Sequence, residues 1–277
     1  CPAADAMPRP ASAIVIGGGV AGASIARWLS SRGVGVTVLE KAGQLCAGAT
    51  WHAAGLVTRF GGSPKIKKVH VRALELMTAL HDESDGCGLH LTGSIRLIEK
   101  GDGDRLLEAK QHLAMARLYD DPALPTTMIG ADEIARLHPL VDVSNIECGV
   151  FTPRDGDVDP TMLTTAISRV ATAHGAQFRF NAEVRDVRVR ADGRFDVAVG
   201  DDEVLSADAV VNCAGLWSRR FSRLLGDSGH PVPHHPALVI EHQYAVTESL
   251  PELAGRLGDG ERVPVLRDLA GSSYIRQ

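Results

Sequence analysis

Three glycines and one acid carry the first chemistry legible in this chain. Gly17, Gly19 and Gly22 fall at the G-x-G-x-x-G spacing, and Glu40 follows about 20 residues later. In such a run the first glycine permits a sharp turn, the second lets a pyrophosphate reach the backbone, and the third lets helix and strand pack closely. The acid is placed to bind ribose hydroxyls, and an acid in place of an arginine points to an unphosphorylated ribose. That selects NAD or FAD over NADP.

Other side chains could do chemistry, each with a plainer reading beside it. Lys41 to Thr50 is small and polar, a loop that can lie against a bound cofactor, and Trp51-His52-Ala53-Ala54-Gly55-Leu56 follows it. His52 sits among small residues that let something large come close, although composition alone favours a loop histidine bonded to backbone. His242 and Tyr244, two apart on an expected strand, share one face and could line a pocket wall or simply pack. Asp155, Asp157 and Asp159 lack the order and the distal glutamate of a calcium loop, so Asp159 is read as capping a helix that has Pro160 in its first turn. His230, His234 and His235 lie among prolines with no carboxylate or cysteine to complete a metal set, and no metal is expected.

The elements that must position these groups follow from periodicity. Ala13-Ile14-Val15-Ile16 is a continuous apolar run suited to a buried parallel strand, Ala21 to Leu29 gives a helix ended by Gly33, and Val36 to Leu39 is a second strand. Helical spacing recurs over Lys65 to Asp82, Asp104 to Leu118, Asp132 to Leu137 and Pro160 to His174. Strands are expected at 92–98 and 149–151. The short runs 177–180, 184–189, 195–199 and 203–205 read as an antiparallel meander beside the parallel sheet. Ala209 to Cys213 returns as a buried strand ending at Ala214-Gly215, where a nucleotide-binding sheet meets its ligand or where a plain turn sits.

Composition narrows the class. With 277 residues, 44% hydrophobic and 23% charged, the chain can bury a sizeable core. A net charge of -5 with 29 basic residues spread along the chain argues against nucleic acid or a membrane surface as partner. Five scattered cysteines without a C-x-x-C suit free thiols in a reducing compartment. No apolar stretch reaches the ~18 residues of a membrane helix. Residues 1–12 read as a flexible leader, with Met7 a candidate start, and the last residues read as a strand cut in progress, so the sequence is expected to be incomplete at both ends.

Together these residues resemble a known family. The segments Val15 to Gly19, Ala49 to Leu56, Gly93 to Leu97, Asp155 to Pro160, Val211 to Gly215, His242 to Tyr244 and Pro264 to Leu269 look like the dimethylglycine and sarcosine dehydrogenases of the D-amino-acid-oxidase-like flavoproteins. The resemblance implies an α/β fold with a Rossmann-like FAD-binding domain carrying the inserted meander, plus a discontinuous α+β substrate-binding domain. The first is expected over 13–90 and 150–225, and the second, incomplete, over 91–149 and 226–277. It selects FAD and implies covalent attachment through His52. By the same likeness Glu40 binds the adenosine ribose, the glycine turn holds the pyrophosphate, and Lys41, Thr50, Gly55, Leu56, Ala214 and Gly215 lie along the cofactor.

The implied reaction removes hydride from the N-methyl carbon of a small amino acid, dimethylglycine above all, with Tyr244 and His242 positioning the amine or managing its proton. The implied electron acceptor is electron-transfer flavoprotein or oxygen, and tetrahydrofolate would enter only through a further C-terminal domain. A sarcosine-specific enzyme or oxidase is the near alternative. The regulatory subunit of pyruvate dehydrogenase phosphatase, a non-catalytic relative that departs at the tether histidine, is the distant one; a NAD-binding module is a third. The setting is a bacterial cytoplasm, or the mitochondrial matrix if the source is eukaryotic.

Overall fold

Apolar residues at every position of Ala13–Ile16 require cover on both faces of the strand they form. The computed structural model, which describes residues 10–59, 63–120, 122–227, 238–254 and 262–277, supplies that cover from helices on one side and a small sheet on the other. In chain order the first elements are β1 (Ser12–Ile16), α1 (Val20–Ser30), β2 (Gly35–Leu39), β3 (Leu56–Val57), α2 (Pro64–Glu83), β4 (Leu89–His90), β5 (Ser94–Glu99) and α3 (Gly103–Ala116). Then come β6 (Thr127–Gly130), α4 (Ala131–Leu137), β7 (Ile146–Thr152), β8 (Gly156–Val158), α5 (Pro160–Ala173), β9 (Gln177–Arg179) and β10 (Val184–Val189). The last are β11 (Phe195–Val199), β12 (Glu203–Ala207), β13 (Ala209–Asn212), α6 (Ser218–Asp227), α7 (Pro251–Ala254), β14 (Val265–Asp268) and β15 (Ser273–Ile275).

The chain divides into two compact units, the first made of residues 1–54, 84–87 and 160–242, the second of 55–83, 88–159 and 243–277. In the first unit a parallel sheet runs in the order β13-β1-β2-β9. Side chains alternate across it. Ala13, Val15, Val36 and Val38 pack against Ala26 of α1 and Ala171 of α5, while Ile14, Ile16 and Leu39 pack against Val187, Val197 and Phe221 on the other face. Small residues on α1 let it lie close to the sheet. The second face is covered by the antiparallel meander β10-β11-β12 and by α6.

The meander has three strands and not the four runs expected, because Gln177–Arg179 pairs parallel with Thr37–Leu39 and so completes the main sheet. Three residues carry no alternation long enough to say which neighbour they join, and pairing with β2 is a non-local choice.

The second unit is built on a five-stranded mixed sheet, β15-β14-β5-β7-β6, with a small sheet β3-β8-β4. Ile95, Leu97, Ile129, Ile134 and Leu266 form one of its cores. Beside it lies a buried polar cluster. Arg59 is 2% exposed and Lys67 0%, with Asp155 and His112 also buried. Asp155 accepts hydrogen bonds from the Arg59 backbone N–H at 2.9 Å, the Ser94 hydroxyl at 2.8 Å and the Thr58 hydroxyl at 3.1 Å. The Arg59 guanidinium lies 3.3 Å from Asp120.

His112, on α3, has its pKa lowered from 6.5 to about 4, first by burial and then by the positive charge of Lys67. A histidine kept neutral in the fold but free to protonate when unfolded destabilises the fold as pH falls. The contribution of His112 is intact above pH 6.5 and is lost progressively towards pH 4, a change of about 3 kcal/mol over that window. Denaturant midpoints for the wild type and His112→Gln across this range should diverge, the variant showing the shallower pH dependence.

The expected strand around His242 and Tyr244 is not formed. Residues 238–250 have no regular structure and are exposed, Ile240 at 76% and Tyr244 at 56%. A strand needs a neighbour for its ladder, and among the described residues none pairs with this segment. The histidine and proline run at 230–236 and the leader up to residue 9 lie outside the described residues. No helix among the described residues is long and apolar enough to cross a membrane.

Candidate functional site

The turn between β1 and α1 owes its shape to its three glycines, each for a different reason. Gly17 has φ +113°, in the region that favours glycine, and a Cβ there would run into the carbonyl of Cys213 at the end of β13. A Cβ on Gly19 would press on the Thr50 hydroxyl at 2.8 Å. A Cβ on Gly22 would overlap the carbonyl oxygen of Gly17, so this residue sits behind the turn and lets the helix approach it. The Gly17 N–H donates to the Leu39 carbonyl at 2.8 Å, which ties the turn to the end of β2.

Glu40 follows at that end. Its carboxylate accepts from the Gly18 N–H at 2.7 Å and the Ala42 N–H at 2.9 Å, which fixes its orientation beside the turn. The loop after it folds back over the turn: the Cys46 N–H donates to the Gly18 carbonyl at 3.2 Å, and the Thr50 hydroxyl accepts from the Val20 N–H at 3.1 Å. Thr50 thus caps the first turn of α1, and its hydroxyl proton remains available to a further acceptor.

These elements enclose an open cleft of about 1000 Å³ at the carboxyl ends of β1, β2 and β13. Gly17, Gly19, Glu40, Lys41, Thr50, Ala214 and Gly215, all singled out by the sequence, line it together. The further contributors that the sequence reading missed include Ala182 from the connection into β10, Val184 at its start, Trp217 from the turn after β13, and Phe221 from α6. The signal for Trp217 was its position two residues beyond Gly215. The other three carry no local pattern. Cys213 also lines the cleft, and burial pushes its thiol pKa up, so it stays protonated and uncharged.

The cleft's charges are arranged unevenly. Arg220 is paired with Glu183 at 3.3 Å. Lys41 has no carboxylate partner among the described residues, and its ammonium rests 3.2 Å from the centroid of the Trp217 ring. The positive end of α1 opens here too. A glycine turn at a helix N-terminus, an oriented carboxylate and a cation with no carboxylate partner among the described residues fit an adenine dinucleotide.

The remaining predicted residues lie elsewhere. His52 is exposed at the end of the first unit's loop, its ring stacked on Trp51 with centroids 4.7 Å apart and planes tilted by 34°, and it is not among the cleft-lining residues. Gly55 and Leu56 open the second unit, Leu56 pairing with Asp157 on β8. His242 ends the first unit and Tyr244 belongs to the second. Asp157, one of the three aspartates that lack the order of a calcium loop, is 2% exposed and accepts from Arg276 at 2.7 Å, with His90 at 3.3 Å.

Comparison with known proteins bears on the chain as a whole. The family described as FAD dependent oxidoreductase matches residues 12–277. The chain is 35% identical over 268 residues to the mitochondrial dimethylglycine dehydrogenase of Mus musculus, covering 96% of this chain and 29% of that protein. It is 31% identical over 277 residues to the mitochondrial sarcosine dehydrogenase of Mus musculus, covering 98% and 28%. Among solved structures, the L-proline dehydrogenase from P. horikoshii matches with a TM-score of 0.70 and 26% identity over 79% of this chain and 57% of that one. The chain spans less than a third of the length of these two curated relatives.

Proposed function

The chain belongs to the FAD dependent oxidoreductase family, and from that premise we propose that it is the cofactor-binding part of an enzyme that oxidises the N-methyl group of a small amino acid, with dimethylglycine the favoured substrate. The observation that supports this most is the gathering of the glycine turn, Glu40, Thr50 and Lys41 in one cleft, in a chain 35% identical to a dimethylglycine dehydrogenase. FAD, when bound, supplies a two-electron acceptor for hydride from the methyl carbon.

The chain's own residues do the rest. Glu40, already oriented by two backbone donors, receives ribose hydroxyls. The N-terminus of α1 and the Thr50 hydroxyl face the diphosphate, and the close turn at Gly17 and Gly19 leaves it room. His52 would hold the flavin covalently: its exposed imidazole offers a nitrogen lone pair when neutral. His242 and Tyr244 hold the amine in its neutral form, because hydride loss draws on the nitrogen lone pair.

The oxidised substrate is an iminium, which water hydrolyses to formaldehyde and the demethylated amine. Tetrahydrofolate capture would need a further domain. The electrons pass on to electron-transfer flavoprotein or oxygen.

The test is anaerobic mixing of the flavin-loaded full-length enzyme with dimethylglycine, sarcosine and glycine. Bleaching of the long-wavelength flavin band should be fastest with dimethylglycine and absent with glycine. Faster bleaching by sarcosine reassigns the substrate, and no bleaching by either methylated amine contradicts the reading.

A further inference from the structure

Lys41 is the cleft-lining cation without an anionic partner among the described residues, and it does not hang free. Its ammonium lies over the face of Trp217, 3.2 Å from the ring centroid. The same ring is backed by Gly48, where a Cβ would stand 3.5 Å from the ring edge, so the loop after Glu40 closes against it. A lysine carries four rotatable bonds, and an exposed one spends most of its time in water. An aromatic face removes much of that freedom while leaving N–H donors unspent, because the ring quadrupole attracts the charge without accepting conventional hydrogen bonds. Arg220, the neighbouring cation in the cleft, is held by Glu183 and is not available in the same way.

We propose that Trp217 is a positioning residue that seats the Lys41 ammonium in the nucleotide cleft, so that an incoming adenosine diphosphate moiety meets a fixed positive charge next to the ribose-binding acid. This rests on the cofactor reading above. It assigns to Trp217 a role in recognising the phosphates and not the adenine ring, and it makes Lys41 and Trp217 one unit. Either residue alone is then as ineffective as neither.

The test is a double-mutant cycle on ligand affinity, measured by calorimetry on protein prepared without flavin from riboflavin-limited cells. ADP and adenosine are the probes. Lys41→Met should weaken ADP binding about 10-fold, reduce its salt dependence, and leave adenosine unaffected. Trp217→Leu should weaken ADP to a similar degree, Trp217→Phe should retain most of the affinity by keeping a ring, and the pair Lys41→Met/Trp217→Leu should be no weaker than either alone. Additive losses, or equal losses for adenosine and ADP, would show that Trp217 acts by packing alone and overturn the inference, as would an ADP affinity unchanged in Lys41→Met. Unaltered protein that binds neither ADP nor FAD sinks the cofactor reading and this inference together; ADP binding with additive variants sinks this inference only.

Discussion

Gly22→Ala is expected to strip the chain of flavin. The substituted methyl group would occupy the position of the Gly17 carbonyl oxygen, and backbone cannot swing aside as a long side chain does. Either α1 withdraws from the turn or the turn itself opens. Overpacking against rigid neighbours costs about 1–3 kcal/mol, and here the groups displaced are the ones proposed to face the diphosphate. The stability loss should therefore be moderate and the loss of flavin retention nearly complete. Gly33→Ala is the control: it too has positive φ, at +81°, but nothing lies within 4 Å of its added Cβ. It should cost stability without releasing flavin. The check is flavin absorbance per protein after gel filtration, alongside a denaturant midpoint for each variant.

Asp155→Ala is expected to unfold the second unit or leave it barely stable. Asp155 is 1% exposed, and the donors of Thr58, Arg59 and Ser94 converge on its carboxylate. Burial pushes its pKa up and the donors pull it down. Its removal takes the shared acceptor away from these donors and leaves Arg59, 2% exposed, with Asp120 as its remaining carboxylate among the described residues. Breaking a buried ion pair from one side costs about 3–5 kcal/mol, a large part of the stability of any domain. Asp155→Asn keeps the shape and one acceptor, so it should lose less. Thermal unfolding of the three proteins, followed by circular dichroism, should rank wild type above Asn above Ala; equal midpoints would mean that the cluster contributes little.

These two sites mark what the sequence made legible and what it did not. The glycine turn is local: strand, turn, helix, strand and acid lie within residues 12–40, and each residue type declares its job through backbone geometry. The helices were legible for the same reason, with α2 found at Pro64–Glu83 against an expected Lys65 to Asp82. The Asp155 cluster is the opposite case. Arg59 and Asp155 are 96 positions apart, and nothing near either announces the other. Asp155 and Asp157 carry no pattern that predicts burial, because carboxylates usually face water, whereas here both are buried against distant partners.

The cleft shows both behaviours at once. Gly17, Gly19 and Glu40 were evident from spacing, but Trp217 acquires its place only when β13 returns beside β1. His242 and Tyr244 illustrate a third limit. Their alternation is strand-like, yet a strand is a property of a pair, and the described residues offer 238–250 no partner. Their expected roles in catalysis therefore rest on the resemblance and on the experiments it motivates.

The central claim is that the cleft holds FAD and that His52 anchors it. The most direct measurement is acid denaturation of the purified full-length protein followed by electrophoresis and ultraviolet imaging of the gel, with His52→Ala in the next lane. A fluorescent protein band in the wild type that vanishes in the variant is the predicted result. Flavin that washes away from both proteins would contradict the tether while leaving the cleft in place, and a wild-type protein purified without any flavin would contradict the account as a whole.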